Sequence, residues 1–133
     1  MPVLGLCLAL AASAAAPVFV PGEHFTLAWT HSIEKVRWEE DYAVLPDPPR
    51  LQAVAARVRG SAAGMEPPPG ARLQGGWYHY TPAPGLQEPL RLTRSEFTAD
   101  YALCTAQYCQ PLGRWLPSDG GVTLLRACTG PPD

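Results

Sequence analysis

The sequence predicts an all-β domain, an antiparallel sandwich or a barrel-like single domain. Prolines and glycines, 16 and 12 of the 133 residues, disfavour long helices and favour short strands joined by turns. Apolar and polar residues alternate over several stretches of strand length, the period that buries one face of a strand. Turn-forming clusters separate those stretches at fairly regular intervals. Apolar residues make up 47% of the chain, enough for a core in a domain of this length.

The N-terminal segment reads as an address. No charged side chain precedes Glu23, residues 3–16 are dense in Leu and Ala, and Ser13-Ala14-Ala15-Ala16 supplies small residues for a signal peptidase. A run of about 14 apolar residues is short for a bilayer and suits a secretory h-region. Extension to Val20 brings it towards the length of an anchor. Residues 1–20 are therefore expected to be a signal peptide or inner-membrane anchor in contact with the membrane. Residues 21–133 are expected to form one β-rich domain, periplasmic or otherwise exported.

Within that domain Phe25, Leu27 and Trp29 alternate with Thr26, Ala28 and Thr30. Next, Trp38, Glu40, Tyr42 and Val44 alternate with Arg37, Glu39, Asp41 and Ala43. The second strand thus places Glu40 on its apolar face, where an unpaired carboxylate costs several kcal/mol; Arg57 or Arg59 is the expected partner. Asp47-Pro48-Pro49 breaks the pattern. Residues 51–58 fit a helix stripe capped by Asp47 as well as a strand. A Gly/Pro-rich loop is expected at 60–75, with strands at 77–80, 90–93, 97–104 and 122–128 after it.

With Cys7 assigned to the N-terminal run, three cysteines remain. Cys104 and Cys109 enclose four residues and are expected to bridge across a hairpin; pairing of either with Cys128 stays open. The spacing is wrong for a zinc knuckle. Net charge is −2 with ten scattered Lys and Arg, so no basic stripe offers itself to nucleic acid.

Two motifs concentrate the chemistry. Thr30-His31-Ser32-Ile33-Glu34 runs on towards Trp38-Glu39-Glu40, and Gly60-Ser61-Ala62-Ala63-Gly64-Met65-Glu66-Pro67-Pro68-Pro69 forms the loop. Gly64 permits positive φ and close approach of the backbone, and the prolines hold the end of the loop extended. The pattern resembles a domain-of-unknown-function family encoded beside, or fused to, membrane components of TAXI-type tripartite (TRAP) solute transporters. That resemblance implies an exported accessory or binding module, partnered by a transporter membrane subunit or a small solute.

The binding residues expected on these motifs are His31, Ser32, Glu34, Trp38, Glu40, Gly64, Met65 and Glu66. No catalytic residue and no cofactor is assigned. Ser32 and His31 are adjacent, so on a strand they face opposite sides, unlike a nucleophile and its base. The loop lacks the Gly-Lys-Ser/Thr ending of a phosphate loop. The alternative is a metal-dependent enzyme centred on His31 and the nearby glutamates, since imidazole with carboxylates is a divalent-metal ligand set.

Overall fold

A computed structural model describes residues 1–30, 35–60 and 69–132. The strands, in chain order, are β1 (Val3–Leu10), β2 (Val18–Pro21), β3 (His24–Thr30), β4 (Arg37–Leu45), β5 (Arg50–Arg59) and β6 (Arg72–Gln74). They continue as β7 (Trp77–Tyr80), β8 (Leu90–Thr93), β9 (Ala102–Cys104), β10 (Cys109–Pro111) and β11 (Val122–Gly130). A 3₁₀ turn, Leu112–Arg114, comes directly after β10. Two antiparallel sheets result. One has the order β2-β1-β11-β8 and the other β10-β9-β3-β4-β5-β7-β6. They pack as a sandwich around Leu6, Leu8, Val20, Phe25, Leu27, Tyr42, Val44, Leu51, Leu103, Leu112 and Leu125.

The apolar run at 3–10 is folded into the domain, which corrects its assignment as a separate export or anchor segment. β1 pairs with β11 from Val3 opposite Gly130 to Leu10 opposite Thr123, and β2 covers its other side. Leu6 and Leu8 are among the most buried side chains of the core. The hydrophobicity of this run is thus the hydrophobicity of an inner strand, since its leucines meet the second sheet. On the outer face Phe19 lies across Gly5 and Gly130. A Cβ on Gly5 would come within 2.7 Å of the Phe19 ring, so only glycine admits the ring there.

Residues 51–58, open between helix and strand, lie within strand β5. Its ladder with β4 carries a register shift between Asp41 and Tyr42. The expected strand at 97–104 is confined to β9, and Phe97 is exposed. β6 falls in the segment expected to be loop. It turns into β7 through Gly75 and Gly76, whose φ values of 62° and 83° suit the two-residue hairpin turns that need positive φ.

Polar groups also tie the sandwich together. The Glu88 carboxylate accepts the backbone N–H of Leu51 on β5 and, at 2.9 Å, that of Ala127 on β11. One side chain therefore joins both sheets. Cys104 and Cys109 are bonded, as expected, between the paired strands β9 and β10. Cys7, assigned by composition to the N-terminal address, is instead bonded to Cys128 between β1 and β11.

Candidate functional site

The seven-stranded sheet carries two unlike faces. Its outer face holds a ladder of charges. Arg57 donates to Glu39 at 2.6 Å and to Asp41 at 2.9 Å, Arg37 donates to Glu39, and the Thr26 hydroxyl donates to Asp41. Burial alone would raise both carboxyls. The guanidinium hydrogen bonds outweigh it, so Glu39 and Asp41 are held below their ordinary values of 4.5 and 3.8. A depressed folded pKa contributes stability above the unfolded value, and that contribution is lost as pH falls through the folded one. Stability is therefore expected to decline below about pH 4.5, and more shallowly in Arg57→Ala. Urea unfolding at neutral and acid pH checks this; an equally steep acid limb in Arg57→Ala would refute the assignment.

The inner face is aromatic. The ladders set Trp29 opposite Trp38, Trp38 opposite Val58, and Val58 opposite Tyr78. The next row along is Leu103, Leu27, Glu40, Ala56 and Tyr80. Glu40 therefore points to the inner side, as its shared parity with Trp38 and Tyr42 predicts. Its expected partner is corrected. Arg57 stands opposite Glu39, on the other face, and Arg59 lies over the Trp77 ring, 5.4 Å from its centroid. The observed partner is the Tyr42 hydroxyl, which donates to Glu40 Oε1 at 2.6 Å.

The electrostatics are a consequence of that placement. Burial first, then the hydrogen bond to Glu40 and its charge, push the Tyr42 phenol far up. Tyr80 is raised by burial and the Glu40 charge. Tyr101 is raised by burial and the charges of Asp100 and Glu40. All three phenols thus stay protonated at neutral pH.

Trp29 is the hinge of the aromatic wall. It stacks on Trp38 with ring centroids 6.2 Å apart and planes 6° from parallel, and meets Tyr101 at 6.0 Å. Trp38, Glu40, Tyr78, Tyr80 and Tyr101 are all half-buried, and Trp38, Glu40, Tyr78 and Tyr80 lie outside the main core cluster. A cleft of about 210 Å³ opens beside this wall, bordered by Trp29, Thr30, Thr93, Arg94, Asp100 and Tyr101. The Trp38 Nε1–H is buried without an acceptor among the described residues. Such a donor costs about 1–3 kcal/mol when unmet.

Of the expected binding residues, Trp38 and Glu40 are thus brought together on one face. His31, Ser32, Glu34, Gly64, Met65 and Glu66 lie outside the described residues. The strand ends flanking their segments are neighbours: Thr30 pairs with Arg37, and Trp38 pairs with Val58. Motif reading alone misses Trp29, Tyr42, Tyr80 and Tyr101 as site residues. The available signal for Trp29, Tyr42 and Tyr80 is parity, because they share the inner face once the register is known; Tyr101 precedes β9 and meets Trp29. Among the described residues, no three His, Cys, Asp or Glu side chains are placed to hold one metal ion.

A family model described as a domain of unknown function, DUF1850, matches residues 25–112. The chain belongs to the DUF1850 family. The matched region contains the whole seven-stranded sheet apart from the first residue of β3, together with β8. The other three strands of the smaller sheet, β1, β2 and β11, lie outside the DUF1850 match. The aromatic face around Glu40 is therefore DUF1850 territory throughout, while the Cys7–Cys128 bridge is not. No curated protein and no solved structure matches this DUF1850 chain.

Proposed function

We propose that this domain is an exported binding module serving a solute-uptake system of the TAXI-type TRAP kind. One observation carries the binding role: Glu40 sits half-buried on an aromatic sheet face and is bonded to Tyr42, while an open cleft borders Trp29 and Tyr101 of the same wall. A carboxylate placed among rings needs hydrogen-bond or ionic partners, and the described partner of this one is a single neutral hydroxyl. Export is supported by two disulfides, which persist in oxidising compartments. No helix among the described residues is long and apolar enough to cross a membrane. Leu6 and Leu8, buried in the core, are not offered to lipid. The transport assignment rests on the resemblance carried by the motifs at 30–34 and 63–67.

The expected result is that affinity-tagged protein, recovered from mildly solubilised membranes, brings a transporter membrane subunit with it. A partner profile lacking any transporter subunit overturns the assignment.

A further inference from the structure

The neighbours of Glu40 restrict what can meet it. Directly opposite on β3 and β5 are Leu27 and Ala56, and two residues away along β4 are Trp38 and Tyr42. Past Ala56, whose small side chain leaves room, comes Tyr80. Trp29 stacks on Trp38, and Tyr101 meets Trp29. Among the described residues Glu40 thus has rings on several sides, and one hydroxyl donor.

No Lys or Arg among the described residues forms an ion pair with it. The nearby guanidinium groups are engaged elsewhere. Arg37 and Arg57 serve Glu39 and Asp41 on the opposite face. Arg59 lies over Trp77. Arg94 is held by Asp100, Thr123 and the Leu116 carbonyl.

Among the described residues the site therefore combines a carboxylate that has no ion-pair partner with ring faces that are themselves negative. That combination selects a cation. A hard metal ion demands several oxygen ligands and retains water, whereas among the described residues this face supplies one carboxylate among hydrocarbon. An organic cation is weakly hydrated, and ring faces can replace its water.

We propose that this face binds a small organic cation of the quaternary ammonium or alkylammonium class. Its charge sits beside Glu40 and its methyl groups lie against Trp29, Trp38 and Tyr80. The inference rests on the binding-module reading and names the ligand class that module takes. The Glu40 charge at Tyr80 and Tyr101 is the same field that would hold the ligand.

The test uses tetramethylammonium as probe, with tert-butanol as its uncharged isostere and pivalate as its anionic one. Indole N–H signals of the full chain are monitored by NMR. Tetramethylammonium is expected to bind saturably and to shift the Trp29 and Trp38 signals, with neither isostere doing so. Glu40→Gln keeps an acceptor for the Tyr42 hydroxyl but removes the charge, and should weaken binding about tenfold or more. Tyr108→Ala, in the Tyr108–Trp115 stack and outside the proposed site, should bind as the parent does. Absence of saturable binding, equal binding of tert-butanol, or unchanged affinity in Glu40→Gln each overturns the proposal.

The two readings fail separately. Tagged protein that brings down a transporter subunit yet binds no cation loses the ligand class and keeps the transport assignment. Cation binding with no transporter partner does the reverse.

Discussion

Replacing Cys7 and Cys128 together by alanine is expected to lower the unfolding free energy by about 5 kcal/mol, against about 2 kcal/mol for the Cys104–Cys109 pair. The two bridges differ in what they deny the unfolded chain. Cys7–Cys128 joins positions 121 residues apart, and Cys104–Cys109 positions five apart. Loop-closure entropy grows with the logarithm of that separation. Both cysteines of the long bridge lie on the outer side of their sheet, since Leu6, Leu8 and Ala127 face inward. Alanine there opens no core cavity, so the change isolates the cross-link. A loss of about 5 kcal/mol is comparable with the whole stability of many domains, so reduction is expected to bring this one to the edge of unfolding. Urea titration of the oxidised parent and the two double variants measures the ranking. A smaller loss from the Cys7–Cys128 pair than from the Cys104–Cys109 pair would refute the entropic account.

That bridge also shows where the sequence misleads. An uncharged run rich in Leu and Ala has the same composition whether it is a signal or an inner strand. The distinguishing signal is period: Leu4, Leu6, Leu8 and Leu10 alternate with Gly5, Cys7 and Ala9, and on a strand every leucine takes one face. The pattern is muted because the outward residues are small rather than polar. Setting Cys7 aside leaves an odd cysteine count, whereas all four pair in the fold. β3 and β4 are legible because their alternation includes threonines in the first and charged residues in the second, and so is the inward direction of Glu40. Its partner is not. Tyr42 reaches it along the same strand, while Arg57 is placed on the outer face by a register that only the folded ladder defines. The ring wall is illegible for the same reason: Tyr80 is far in the chain from Trp29 and Trp38, and strand pairing alone brings them to one face.

Arg94→Ala is expected to cost about 3–5 kcal/mol, the range for breaking a buried pair and leaving its partners unmet. The residue is 3% exposed, although in the sequence an arginine after a short strand reads as surface. Its guanidinium donates to both oxygens of Asp100, to the Leu116 carbonyl at 2.8 Å and to the Thr123 hydroxyl at 3.1 Å. Asp100 in turn accepts the backbone N–H of Tyr101 and of Gly113. One buried cation thus fastens the end of β8 to β11, to the 3₁₀ turn and to the approach to β9. Lysine cannot reproduce the fork that grips both carboxylate oxygens, so Arg94→Lys is expected to recover only part of the loss. Arg57→Ala supplies the contrast. It also breaks two ion pairs, but on a solvent-facing ladder, where about 1 kcal/mol or less is at stake. Because Asp100 holds the Tyr101 backbone beside Trp29, Arg94→Ala should further loosen the aromatic wall and weaken tetramethylammonium binding in molecules that remain folded. Urea unfolding of the three variants tests the energetics, and an Arg94→Ala protein as stable as Arg57→Ala would show that burial of this cation does not organise the fold.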